Sequence, residues 1–308
     1  MPEKRIQDLI GSKERVKLTI SHCRTDRVPK GEIVIEDSVI LESLKKEKIG
    51  FDERLKFVNQ LGLDLICLNP KYPSINGDLP TIGSVIWPDL KDWVSKSNLF
   101  TFAMLDGILG WGIRIFGYKQ FFVLPKTSPL VFAAFIKKVE LFNLGQAIAL
   151  IDRGIDGLII ADDLAYSKGL IFGPETTRRY FLPSFASQIE EISRTGIPVF
   201  FHSDGNLNDI MEDIVEVGFA GLHCIDRNSG MDVIQLQRDF GKKICLWGSL
   251  SVEDLLKIDD QKYLEIILAE ISLLSSNKGF ILGTDCGLFS GLNLEGLVRI
   301  YKLREEKV

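Results

Sequence analysis

A (β/α)8 barrel is the fold this sequence predicts, and three observations predict it. Along 308 residues, eight short runs rich in strand-forming residues alternate with longer helical stretches. The runs are almost continuously apolar, as strands covered on both faces must be. Residues able to carry chemistry gather where those runs end and not where they begin, the placement a barrel uses for catalysis. An open doubly wound sheet shares the alternation, but it calls for a glycine-rich phosphate turn after its first strand. Neither GxGxxG nor a P-loop sequence is present.

The expected strands, in order, are "EIVIE" (32–36), "DLICLN" (64–69), "LFTFAMLD" (99–106), "GLIIADD" (157–163), "PVFFHSD" (198–204), "AGLHCID" (220–226), "KICLWGS" (243–249) and "GFILGTDC" (279–286). Between them, "DERLKFVNQLG" has apolar residues at helical spacing and stops on Gly62. The stretch from Gly173 to Gly196 reads as a helix entered through Pro174 and kinked at Pro183, whose ring lacks an N–H. Ser251 is placed to cap a helix that has acids in its first turn, and "NLEGLVRIYKLREEK" closes the barrel. The stretch 107–130 is the least regular and reads as a helix followed by a loop over the barrel mouth. One domain spanning 1–308 with a short N-terminal helical extension is the expected organisation.

Composition narrows the function. Hydrophobic residues make up 45% and charged residues 26%, enough apolar material for a sizeable soluble core. A net charge of −5 without a basic block argues against a nucleic-acid surface, and no apolar run is long enough to span a membrane. The N-terminus "MPEKRIQDLIGSKER" lacks the apolar core of a signal peptide. Five scattered cysteines without a CxxC pair fit free thiols in a reducing compartment. The expectation is a cytoplasmic protein acting on a small molecule. Whether two copies pair through outer helices is left open.

The strand ends carry Asn69, Asp106, Asp162 with Asp163, His202 with Asp204, His223 with Asp226, and Asp285 with Cys286. Acids and histidines are poor strand formers and costly to bury unpaired, so a ring of them marks a polar pocket. Asp163, His202 and Asp204 are the candidate catalytic groups. Asn69, Asp106, Asp162 and His223 are candidates for substrate contacts. One of Asp162 and Asp163 is equally well read as binding loop or helix amides while the other faces the pocket. The spacing of two puts His202 and Asp204 on one strand face, where a carboxylate can orient an imidazole or share a metal with it. Trp87, Trp111 and Tyr72 read first as packing.

The segments "DRVPKGE" (26–32), "IDGLIIADDLAYSKGLIFGPE" (155–175), "IPVFFHSDGNL" (197–207), "GLHCIDRNSGMDVIQLQRDFGKKICLWGSLS" (221–251) and "GFILGTDCGL" (279–288) resemble the uroporphyrinogen decarboxylase superfamily. The resemblance implies a (β/α)8 barrel. It runs over nearly the whole chain but omits the "MRQAGR" segment and the aspartate after strand 2 of the decarboxylase proper; here strand 2 ends in "CLNPKYP". The site pattern is more similar to the zinc enzymes that exchange methyl groups with corrinoid proteins. Those hold zinc through a His-x-Cys-Gly segment on strand 5 and a cysteine in a turn after strand 8. His202 matches the histidine, Cys286 in "DCGL" matches the last cysteine, and Asp204 stands where the middle cysteine would be. The resemblance therefore implies zinc on His202, Asp204 and Cys286, and a methylcobamide supplied by a partner. Carboxylate oxygen binds zinc well, and the harder ligand set suits a methyl ether better than a thiol. The alternatives are metal-free acid–base chemistry on a small carboxylate or tetrapyrrole-like substrate by His202, Asp204 and Asp163, and a non-catalytic corrinoid-binding protein.

Overall fold

The computed structural model describes residues 10–276 and 278–303. The chain folds as a (β/α)8 barrel whose parallel strands run in one sheet in chain order: β1 (Gly31–Glu32), β2 (Leu65–Leu68), β3 (Phe100–Asp106), β4 (Gly157–Ala161), β5 (Val199–His202), β6 (Gly221–His223), β7 (Cys245–Trp247) and β8 (Phe280–Ile281). All eight expected strands are present, and each is shorter than the apolar run that predicted it. Within the chain two compact units are distinguished: Met1–Cys67 with Lys91–Thr101 and Asp232–Val308, and Leu68–Leu90 with Phe102–Met231.

The first unit holds β1, β7, β8 and most of β2. Its first and last strands meet: Gly31 donates its N–H to the Leu282 carbonyl at 3.0 Å and Leu282 donates to Pro29 at 2.9 Å. The helix Ser12–Ile20 packs here. The buried guanidinium of Arg15 reaches Asp26 and Asp64 at 2.7 and 2.6 Å. The helix Phe51–Leu61 ends, as its sequence indicates, on left-handed Gly62. Ser251 caps Val252–Leu256 in a reciprocal box with Asp254. The closing helix is Leu294–Leu303.

The second unit holds β4, β5, β6 and all but the first two residues of β3. Strand pairing is in register from Phe102↔Gly157 to Asp106↔Ala161, from Leu158↔Val199 to Ala161↔His202, and from Phe200↔Gly221 to His202↔His223. Phe102, Phe200 and Phe201 are wholly buried; each side chain of this kind contributes on the order of 1.5–3 kcal/mol. The expected loop within 107–130 is not a loop. Two helices, Ile108–Phe116 and Tyr118–Thr127, occupy it, followed by Pro129–Ile151. Phe121 from this stretch packs against Phe132 of the helix that follows, both fully buried, so aromatic packing overrides the glycines of 107–130. The Pro183 kink takes the form of a five-residue π turn, Thr177–Phe181, immediately before Leu182–Ser193. A proline supplies no N–H to the carbonyl four residues back, which frees the preceding turn to widen.

Candidate active site

Strand β5 delivers His202 at its last residue, anchored by the buried run Val199–Phe201. The chain leaves the sheet there, so Asp204 stands in the following loop and not, as the spacing suggested, on the same strand face. What turns it back is Gly205, at φ +84°. A Cβ on Gly205 would lie 2.6 Å from the backbone of Ala165 and Tyr166, part of a small hairpin formed by Ala165–Tyr166 and Gly169–Leu170. Asn206 donates its N–H to Tyr166 at 3.0 Å. Only glycine fits a left-handed turn pressed this closely on a neighbouring backbone.

Strand β4 ends one residue before Asp162–Asp163, and the two acids part company. Asp162 is buried and its carboxylate accepts N–H bonds from Ile108 and Leu109 at 2.8 and 2.7 Å, the start of the helix that follows β3. Gly107 leaves the room: a Cβ there would lie 2.2 Å from the Asp162 carboxyl carbon. Burial pushes the Asp162 carboxyl up to about 8 against the pull of these amides. Both oxygens are thus engaged with amides. Asp163 is exposed. Its Oδ1 accepts the Asp204 N–H at 3.1 Å and lies 3.9 Å from His202 Nε2.

Asp163, His202 and Asp204 each offer a ligand atom, and the three atoms lie within 4.8 Å of one another. Bonds of roughly 2.0–2.2 Å to zinc would set two ligands of one ion about 3.4 Å apart, a closure that rotation of two exposed carboxylates can supply. One nitrogen and two oxygens suit zinc or a harder divalent ion. The Asp204 carboxyl sits above the usual carboxylate range: burial raises it, as do the charges of Asp163 and Asp226, while His202 and a hydrogen bond with Cys224 hold it down.

His223, wholly buried at the end of β6, lies in register beside His202, with its Nδ1 2.9 Å from the Nδ1 of His202. Sequence reasoning selected both histidines but not their pairing. The signal was available: adjacent strands that both end on histidine bring the two rings together when their register coincides. The remaining candidates have other partners. Asp106, last in β3, pairs with Arg114 on the next helix, and Asp226 binds the Ser229 amide and hydroxyl. Asn69 is half-buried just past β2. Trp87 and Trp111 are core residues, and Tyr72 stacks edge-on against Trp111 at 4.6 Å. Cys286 belongs to the first unit, in the loop after β8, with an exposed thiol 3.5 Å from the Gly287 carbonyl. It is not one of the three clustered residues. The first unit also has a cavity of about 540 Å³, lined by Arg24, Lys30, Ser272 and Tyr301 among others. It borders the N-terminal ends of β1 and β8, the end of a barrel that serves stability and not chemistry.

No helix is long and apolar enough to cross a membrane among the described residues. No curated protein matches the sequence. In fold the chain is similar to a methyltransferase from Methanosarcina mazei (TM-score 0.74, 15% identity, covering 96% of this chain and 99% of that one). It is also similar to a B12-independent methionine synthase from Shewanella (TM-score 0.53, 15% identity, 91% and 93%). The family model for uroporphyrinogen decarboxylase matches residues 113–306, which is more than half the sequence and includes every member of the Asp163–His202–Asp204 group, and the chain accordingly belongs to the uroporphyrinogen decarboxylase family.

Proposed function

We propose that this protein is a methyltransferase that moves a methyl group between a small substrate and a corrinoid, with a zinc ion held by His202, Asp204 and Asp163. The observation that carries this reading is the convergence of one imidazole and two carboxylates within 4.8 Å at the C-terminal ends of β4 and β5. The family, and a structural neighbour that is itself a methyltransferase, support it. Bound there, zinc would supply Lewis acidity to the heteroatom that gives up or receives the methyl group. The chain's own contribution is placement. Asp163 holds the Asp204 backbone through its N–H, Gly205 turns that loop back on itself, and the Nε2 of His202 faces the carboxylates. Three protein donors leave a coordination position for substrate, as catalytic zinc sites require. With no thiolate in the cluster, an oxygen-bound methyl group, as in a methyl ether, is the expected donor.

The test is zinc content and zinc affinity of the purified protein and of His202→Ala, followed by methyl transfer to a corrinoid from methoxy compounds compared with transfer to thiols. Wild type is expected to hold one zinc, and His202→Ala to lose it. The cost should exceed the roughly 10–100-fold that follows loss of a mere supporting partner. Absence of zinc from wild type at saturating metal would end the reading. Cys286→Ala then separates two ligand sets. Retained zinc assigns the site to the local three residues, and lost zinc assigns a place to the cysteine that the sequence pattern suggested.

One observation favours a second reading. The raised Asp204 carboxyl, beside an imidazole and a second carboxylate, is what a metal-free general acid would need. That reading survives only if activity persists in zinc-free protein.

A further inference from the structure

We infer that His223 is a positioning residue whose Nδ1 accepts a proton shared with His202 Nδ1, so that His202 presents a bare Nε2 to Asp163 and Asp204. The inference rests on the metal reading above. Its starting point is a contact between two like groups. The Nδ1 atoms lie 2.9 Å apart and the ring centroids 5.0 Å apart. A hydrogen bond at that distance needs one N–H and one lone pair, so the two rings cannot carry the same tautomer at these atoms.

Only two arrangements of neutral rings satisfy the contact. In one, His223 donates and His202 must carry its own proton on Nε2, on the side of the carboxylates. In the other, His202 donates from Nδ1, its Nε2 is a lone pair, and His223 carries its proton on Nε2. The second arrangement alone leaves His202 able to bind a cation through Nε2, the nitrogen that faces Asp163 Oδ1 at 3.9 Å. A metal-binding histidine commonly donates its other N–H to a carboxylate or carbonyl that fixes the ring. Here the acceptor is a second imidazole.

Burial makes His223 a stiff acceptor. It has no exposed surface, its strand is locked to β5 through Phe200↔Gly221, Phe201↔Leu222 and His202↔His223, and it follows the buried Leu222. His202, though it too is the last residue of its strand, is only half-buried. The fixed ring therefore orients the freer one. This differs from the substrate contact expected of His223 from its position alone: its Nδ1 is turned to its neighbour.

The test combines imidazole 15N NMR with zinc titration of wild type, His223→Asn and His223→Phe. In zinc-loaded wild type, His202 Nδ1 is expected to be protonated and His223 Nδ1 to be unprotonated. His223→Phe removes the acceptor while keeping a ring of similar size, and zinc affinity should fall about 10–100-fold. Asparagine can present its amide oxygen near the lost Nδ1, so His223→Asn should recover most of that loss. A purely structural role would instead make affinity follow thermal stability in both variants. Unchanged zinc affinity in His223→Phe, or an unprotonated His202 Nδ1 in the zinc-loaded protein, overturns the inference and leaves the metal site standing. If wild type itself takes up no zinc, the site and this inference fall together.

Discussion

Asp64 and Asp204 are both acids set beside strands of one barrel, and their surroundings are opposite. Asp64 precedes β2 in the first unit. It receives Arg15 Nη1 and Arg27 Nη1 at 2.6 Å each, Arg27 Nη2 at 2.9 Å and the Lys30 amide at 3.0 Å. Arg15 also forks onto Asp26 at 2.7 Å, holding that carboxyl below the usual range although burial alone would raise it. Two guanidinium groups meet two carboxylates, and the account closes. Asp204 follows β5 in the second unit, where two carboxylates share one imidazole whose Nδ1 is already committed to His223. Burial and its acidic neighbours raise Asp204 where ion pairing lowers Asp26. A buried charge with a matching partner is architecture. A cluster with surplus negative charge and a nitrogen facing it is incomplete without a cation or a proton, and that incompleteness marks a site.

The largest effect expected from this contrast is on stability. Asp64→Ala leaves Arg15 short of one partner and strips Arg27 of its carboxylate contacts inside the first unit. Removing one member of a buried ion pair costs about 3–5 kcal/mol because the other charge stays behind. Denaturant unfolding should show a loss of that size, with zinc affinity of the folded fraction unchanged. A loss below ~1 kcal/mol would mean that water already shares this network, and the contrast with Asp204 would dissolve.

A finer division runs between adjacent residues. Asp162→Ala removes the acceptor for the Ile108 and Leu109 amides and should cost about 1–3 kcal/mol. Zinc should still bind, because Asp162 is not among the three clustered donors. Asp163→Ala should do the reverse, weakening zinc at little cost in stability, since its side chain is 57% exposed. If both variants behave alike, the two acids form one unit and the structural assignment of Asp162 is wrong.

How far these features were legible follows from the range of the interactions involved. Strand order, the end of the Phe51–Leu61 helix at Gly62 and the Ser251 cap depend on residues within a few positions of one another, and periodicity or cap chemistry exposes them. Strand length was overread at both ends. "EIVIE" (32–36) contributes only Glu32 to β1, although Ile35 still bridges to Leu288, because continuous apolarity reports burial and not ladder pairing. The division of labour between Asp162 and Asp163 was visible as a pair of options, yet only the approach of Gly107 from another strand end decides it. The Arg15–Asp64 pair spans 49 positions and the Glu32–Tyr301 contact 269. Nothing local encodes either. The two clustered helices in 107–130 were hidden by glycines whose cost is met by phenylalanine packing.

Glu32 supplies the smallest expected effect and a third state for an acid of this barrel, wholly buried yet neither ion-paired nor clustered. On β1 it accepts hydroxyl donors from Tyr301 and, at 2.5 Å, from Thr284, with no cation among these partners. Burial, the largest influence, pushes its carboxyl up to about 7; the hydroxyl donors oppose the rise and Asp285 adds to it. The sign follows from linkage. Between its ordinary value of 4.5 and about 7 the folded chain holds a proton that the unfolded chain has released. Its contribution to stability is therefore complete below the lower value, falls as pH rises and is lost above the upper one, with a slope of at most about 1.4 kcal/mol per pH unit. Asp162, raised from 3.8 to about 8, adds a decline of the same sign across this window. Glu32→Gln keeps the shape, removes the titration and lets one hydroxyl turn to accept from the new amide, so unfolding free energy measured from pH 4.5 to 7 should lose the Glu32 share of that slope. An unchanged slope would mean that Glu32 is ionised when folded. Its two hydroxyls and the Thr284 N–H would then be stabilising a buried anion without a cation among them, and a closed set of opposite charges would no longer be what separates architecture from site in this barrel.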